Sequence, residues 1–225
     1  MATTSEDLRA KAREKAADPK RGADAFTPPL AVKEWFAEID SAGREAASKA
    51  EWWQSFLREH CGLDGKWVRN WPEHARYPNL TEHQHRETAP MHYVMGRMSP
   101  FYIERAFSKD RSHAVWAVYF GPYSSNGDSQ IGVGNGGAIA AVLDILTANL
   151  GSLYVQGGTP TASLSVKMLK PAVPVPGLFK AEAWVEREEK GRLYLKAEFG
   201  NGEGKIFDTC EAVLGISRKQ PPSKL

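Results

Sequence analysis

What the chain has little of narrows the possibilities first. Only two of its 225 residues are cysteine, Cys61 and Cys210. That is too few for a disulfide framework, and it fits a reducing or mildly oxidising compartment inside the cell. Neither sign of charge dominates. The 29 Lys and Arg against 27 Asp and Glu leave a net charge of +2, whereas a dedicated nucleic-acid binder presents a strongly basic surface. There is no internal repeat and no long low-complexity segment. The N-terminal stretch lacks the apolar run of a secretory signal. It mixes Glu6, Asp7, Glu14 and Asp18 with Arg9, Lys11, Arg13 and Lys15, unlike the acid-poor mitochondrial presequence. The longest apolar run, near residues 138–150, reads as too short for a membrane-crossing helix and carries an acid, so no transmembrane segment is expected. His74, His83, His85 and His92 lie near one another in sequence, and His83-Gln84-His85 would put both rings on one face of a strand. No Cys or regular acidic partner completes a zinc pattern, and no metal is expected.

What is present is enough for a core: 42% of residues are hydrophobic, and the length suits one large domain or one domain with a substantial extension. Residues 1–28 are charged and alanine-rich, and the Thr27-Pro28-Pro29 break closes them. Residues 31–60 read as helical. Trp35, Phe36 and Ile39 form one stripe and Trp52, Trp53, Phe56 and Leu57 a second, with the tryptophans as packing anchors. Gly43 is expected to separate two helices, and Gly62-Leu63-Asp64-Gly65 to form a turn. Residues 66–90 look irregular. After about residue 91 the composition changes. Strands are expected over 92–97 and 114–120, then a loop over 122–127 and a helix opening at Asn135-Gly136-Gly137 and ending near Gly151. Further strands are expected over 162–169, 178–188, 192–200 and 205–217, with tight turns at Glu189-Lys190-Gly191 and at 201–204. One long apolar helix followed by an antiparallel meander predicts the α+β class, with a curved sheet of five or six strands wrapped around the helix. The chain then divides into an extension over 1–90, a domain over 91–217 and a tail over 218–225.

Asp144 is the residue that points to function. The segment 138–150 is apolar on nearly every face, as a buried helix is. A lone carboxylate there carries a desolvation cost unless it is paired, hydrogen-bonded or used. Just ahead of it, Gly132-Val133-Gly134-Asn135-Gly136-Gly137 would let another molecule come close to the backbone at the helix N-terminus. There, N–H groups without intrahelical partners carry partial positive charge.

The stretch 131–171 resembles the PaaI-like acyl-CoA thioesterases of the hotdog fold, most of all the longer eukaryotic long-chain acyl-CoA thioesterases with a helical N-terminal extension. The matching elements are Asn135-Gly136-Gly137-Ala138-Ile139-Ala140, then Asp144, then Thr161-Ala162-Ser163-Leu164, then Lys170-Pro171. One position departs: the family has His where this chain has Asn135. An amide cannot donate a proton as an imidazolium can, but it can cap the helix and hold the loop. The resemblance implies hydrolysis of an acyl-CoA thioester to free acid and CoA. Gly136 and Gly137 would supply oxyanion-stabilising N–H groups. Asp144 would be the general base or the nucleophile, and Thr161 would position the water or the carboxylate. It also implies at least a homodimer, with Thr161 reaching Asp144 from the other subunit. CoA is part of the substrate, so no separate cofactor is expected. Lys167, Lys170, Lys190 and Arg192 are candidates for its phosphates, and Leu143, Leu146, Leu150 and Tyr154 for an acyl channel. The Asn135 departure keeps open a non-catalytic protein that binds acyl-CoA or a partner. A hotdog hydratase or dehydratase is the other alternative. Finally, Ser223-Lys224-Leu225 spells the peroxisomal import signal. Pro221-Pro222 would hold the tail extended, and an import receptor and peroxisomal location are expected.

Overall fold

The computed structural model describes residues 30–61, 65–69, 101–121, 124, 132–170 and 173–216, with side chains from residue 37 onward. The N-terminal arm, the side chains of Trp35 and Phe36, the strand expected over 92–97, the histidine cluster, most of the 62–65 turn and of the 122–127 loop, and the C-terminal tail lie outside the described residues. Packing separates Met1–Trp35 from Phe36–Leu225, and the architecture below is that of the second unit.

The elements in chain order are α1 (Leu30–Lys49), α2 (Glu51–His60), β1 (Trp67–Arg69), β2 (Phe101–Ser108), β3 (His113–Phe120), α3 (Gly136–Val155), β4 (Thr161–Met168), β5 (Gly177–Glu189), β6 (Arg192–Gly200) and β7 (Ile206–Gly215). The strands form one seven-stranded sheet in the order β1-β2-β3-β5-β6-β7-β4, antiparallel at every pairing. The chain leaves β3, runs along the sheet as α3, adds β4 to the far edge beside β7, and returns to place β5 next to β3. This antiparallel sheet curved around one long helix is the hotdog fold, in the α+β class. The β5–β6 hairpin closes through Lys190 and Gly191, both left-handed at φ 51° and 73°, as a two-residue turn requires.

α3 is apolar all round because the sheet receives it. No residue from 138 to 155 is exposed. Ile139, Val142, Leu143, Leu146, Leu150 and Leu153 join one core with Trp116, Phe120, Phe179, Leu193, Phe199 and Leu214. Within that core the rings of Phe120, Phe179 and Phe199 stand 5.2–5.8 Å apart between centroids. The helix is longer than the sequence suggested. At 20 residues and a mean hydropathy of 1.6 it is long and apolar enough to cross a membrane; half of it is buried inside the protein, which accounts for its composition without a bilayer. Gly151 does not end it. A Cβ there would come within 2.3 Å of Leu214 Cδ1 and 3.2 Å of Thr159 Oγ1, so this glycine lets β7 approach. The helix ends one turn later at Gln156, which takes the left-handed conformation.

Gly43 is a second packing glycine mistaken for a break. α1 continues through it to Lys49, and a Cβ at Gly43 would lie 2.4 Å from Tyr102 Cβ. Ile39, Gly43 and Ala47 make the buried stripe of α1. Ala47 and Trp53 then pack with Ala106, Val115 and Ala117 of β2 and β3 in a second core, on the sheet face opposite α3.

Glu104 of β2 organises that second layer. Trp53 Nε1 and Arg69 both donate to its Oε2, at 2.9 and 2.7 Å, and the Tyr102 hydroxyl donates to its Oε1 at 2.8 Å. Burial and the neighbouring carboxylate push the Tyr102 hydroxyl well above its ordinary pKa. Truncating Glu104 to Ala strands the fully buried Trp53 N–H, and each orphaned buried donor costs about 1–3 kcal/mol. The expected loss is on the order of 3 kcal/mol in urea unfolding, with Glu104→Gln intermediate. A loss under about 1 kcal/mol would show that apolar contacts alone hold the layer.

Candidate active site

The site is built on the start of α3 and the edge strand β4. Asn135 is the N-cap: its Oδ1 accepts from Ala138 N–H at 3.1 Å, and its carbonyl accepts from Ile139 N–H at 3.1 Å. The N–H groups of Gly136 and Gly137 have no intrahelical acceptor at a helix start, and they carry the positive end of the helix dipole. A Cβ on Gly137 would lie 3.0 Å from the capping Asn135 Oδ1, whereas one on Gly136 would meet only the movable tip of Met168, 2.4 Å from Cε. The loop ahead is held by Gly134 N–H to Val173 O at 2.7 Å and Asn135 N–H to Ser124 O at 2.7 Å. Replacing Asn135 by His removes the amide cap, so the expected cost is about 1 kcal/mol of stability, with Asn135→Asp retaining the bond. Urea midpoints for the two variants check this; equal midpoints would mean that the cap is not what fixes the loop.

Asp144 sits half-buried two turns into α3, and the Thr161 hydroxyl donates to its Oδ1 at 2.9 Å. Both residues belong to the same chain, which corrects the expectation that Thr161 arrives from a partner subunit. The physical reason is a β-bulge. β4 and β7 pair Ser163 with Val213 and continue in step to Met168 and Asp208, but Thr161 pairs with Leu214. Ala162 is therefore the extra residue. Leu164 and Val166 pack against the core, and unbroken alternation would turn Thr161 away from α3. The bulge restores it to the α3-facing side, as bulges beside functional sites do.

Two residues that the sequence reading passed over complete the floor. Cys210 is buried, and its thiol is pushed up to about 11 by burial and then by the nearby Asp144 and Glu211. A thiol so protonated is no nucleophile at neutral pH. Asp208, two positions along on the same face of β7, is 1% exposed, and its Oδ2 has no hydrogen-bond partner. Burial pushes its carboxyl up to about 6. The signal was present: in Asp208-Thr209-Cys210-Glu211-Ala212-Val213-Leu214 every second residue is an apolar, sheet-facing one except Asp208.

The four basic candidates are not gathered together. Lys167 and Lys170 lie at the end of β4 where Met168 meets Gly136. Lys190 and Arg192 lie at the other end, where Ile216 N–H bonds Gly191 O and Gly215 N–H bonds Pro160 O. Six residues of extended strand separate Thr161 from Lys167, about 20 Å, so one phosphate group cannot use all four. Lys190 is engaged with Glu189 at 3.2 Å. Leu143, Leu146 and Leu150 are fully buried in the core, and Tyr154 packs against it; they fill space rather than line a channel. Among the described residues, no group of three His, Cys, Asp or Glu could hold a metal ion.

No protein-family model matches the chain, and no curated protein matches it. Solved structures of similar fold include the E. coli PaaI protein from the phenylacetic acid degradation operon (17% identity, 59% of this chain and 92% of that one, TM-score 0.46). A hypothetical thioesterase from Streptococcus pneumoniae, solved with coenzyme A, is another (14% identity, 49% and 85%, TM-score 0.44). So is a putative thioesterase from Ralstonia eutropha (24% identity, 46% and 76%, TM-score 0.41). Likeness at this level assigns no role to any residue.

Proposed function

We propose that the chain hydrolyses an acyl-CoA thioester to the free acid and CoA, with Asp144 as general base. The observation that carries this reading is the Asp144–Thr161 pair set behind the start of α3. A half-buried carboxylate held by one hydroxyl retains an oxygen for a water molecule. The Gly136 and Gly137 N–H groups are the natural donors to a carbonyl oxygen that gains charge as water adds. Seven residues of helix separate Gly137 from Asp144, about 10 Å along the axis, and the Asp144 side chain leans back toward the N-terminus. That gap suits a carbonyl plus a water between carboxylate and donors, and it disfavours direct attack by the carboxylate. Asp144 takes the proton of the water, the tetrahedral centre collapses, and CoA leaves as the thiolate. A panel of purified acyl-CoA substrates, read by thiol detection, tests the reading. Release of free CoA from at least one is expected; saturable binding of CoA thioesters without release would favour the non-catalytic alternative. Long-chain acyl groups, as in the eukaryotic long-chain enzymes, belong in that panel.

We also propose a homodimer, because β4 is an edge strand with Met168 56% and the adjoining Leu169 42% exposed, and such an edge invites a second chain. Peroxisomal import through Ser223-Lys224-Leu225 is proposed as well. An N-terminal fluorescent fusion is expected to co-localise with a peroxisomal marker and to become cytosolic when Leu225 is deleted. Unchanged puncta after the deletion would remove this address.

A further inference from the structure

We infer that Asp208 is a specificity residue that receives an oxygen atom on the acyl group, so that the substrates taken are acyl-CoA thioesters whose acyl portion carries a hydroxyl or keto group. This rests on the acyl-CoA reading above and adds the class of acyl group.

The relative exposure of Asp208 is 1%, its Oδ2 has no hydrogen-bond partner among the described residues, and its flanking partners in the sheet are Met168 on β4 and Phe199 on β6. A carboxyl in such surroundings without a partner opposes folding; a purely structural position would be served better by an apolar residue. Its placement is what gives it a use. Directly paired residues on antiparallel strands project to the same side, so Asp208 stands beside Met168, and the Met168 Cε lies 2.4 Å from where a Gly136 Cβ would be. On the other side, Cys210 shares its face and feels the charge of Asp144. Asp208 and Cys210 are two steps apart along the strand, about 7 Å. Asp208 is therefore carried on β7 between a neighbour that reaches the start of α3, Met168, and one that lies near Asp144, Cys210.

Met168 is the ladder partner of Asp208 on the edge strand. It is more than half exposed, unbranched and adaptable, as methionines at binding surfaces are. An acyl chain that displaces its tip from beneath Gly136 reaches Asp208 within a few carbon atoms of the thioester. As a carboxylate Asp208 accepts from a hydroxyl, and as the neutral acid it forms below about pH 6 it also donates to a ketone, whereas a plain hydrocarbon leaves it unpartnered. Sites built to hydrogen-bond a substrate oxygen discriminate against the analogue that lacks it.

The test compares hexanoyl-CoA with its monohydroxy and keto derivatives, using the full chain and the variants Asp208→Asn and Asp208→Leu. In the wild type, at least one oxygenated substrate is expected to exceed hexanoyl-CoA in kcat/KM. The ratio is expected to fall about tenfold to a hundredfold in Asp208→Leu, with Asp208→Asn between. The same ratio in all three proteins would overturn the inference while leaving thioester hydrolysis standing. A second readout does not depend on turnover or on the folding of Asp208→Leu. Infrared difference spectra are taken at about pH 5, where the folded carboxyl holds its proton, on adding the non-hydrolysable thioether analogues. The oxygenated analogue, and not the plain one, is expected to shift a protonated-carboxyl band that Asp208→Asn lacks. No such shift with any oxygenated analogue overturns the inference, whether or not the protein proves to be a hydrolase; absence of hydrolysis with the shift present would overturn only the hydrolase reading.

Discussion

With Asp144 replaced by Asn, release of free CoA is expected to fall by about two to four orders of magnitude, the range a positioned general base contributes. The fold is expected to persist. The amide has the same shape, its oxygen still accepts the Thr161 hydrogen bond, and α3 keeps its core contacts through Leu143 and Leu146. Basicity alone is lost, so the fall belongs in kcat rather than in KM. Thr161→Val, which only frees the carboxylate to rotate, should cost less. Rates with the substrate that the wild type prefers, together with circular dichroism and a melting curve, make the comparison. A folded Asp144→Asn protein with an undiminished rate would remove Asp144 from the chemistry and leave the helix N-terminus without a base.

The stability difference between Asp208→Asn and the wild type is expected to grow by about 3 kcal/mol, in favour of the variant, between about pH 3 and pH 8. The sign follows from linkage. The folded carboxyl titrates at about 6 and the ordinary value is 3.8, so between these the folded state holds a proton that the unfolded state has lost. The stabilising contribution of that proton is complete below about pH 4 and disappears as pH rises through about 6. Each pKa unit corresponds to 1.36 kcal/mol, and the gap of about two units gives the magnitude. Urea unfolding of both proteins across this range measures it. A pH-independent difference would mean that Asp208 finds a partner or water in solution.

The helices, the hairpins at 190–191 and 201–204 and five of the strands were legible because they follow local rules of period and turn chemistry. The strand at 101–108 was not. It is covered on both faces, by the α3 core and by the Trp53 layer, so it shows no clean alternation, and the charge of Glu104 in its middle argues against a strand until Trp53, Arg69 and Tyr102 are seen to satisfy it. Gly43 and Gly151 misled for a common reason. In sequence a glycine looks like an interruption, and only the facing residues, Tyr102 and Leu214, reveal that it marks a close approach. Asp144 was found because a lone acid breaks a helical pattern. Asp208 breaks a period-two pattern in the same way, but within a short strand that is a weaker signal. The pairing of Thr161 with Asp144 inside one chain could not be read, since it depends on one residue out of step at Ala162.

That residue out of step ties the site to what faces what, not to residue number. Thr161 stands opposite Leu214 because Ala162 is left out of the ladder. Were Ala162 drawn into the ladder instead, it would take the place opposite Leu214 and the Thr161 hydroxyl would turn to the other face of the sheet. A single codon lost at Ala162 would remove the bulge and leave Thr161 opposite Leu214, with the ladder from Ser163 to Met168 unchanged. Two descendants of such a gene, differing by one residue in length, could present the same hydroxyl to Asp144, and they would be matched by cross-strand neighbour rather than by counting residues.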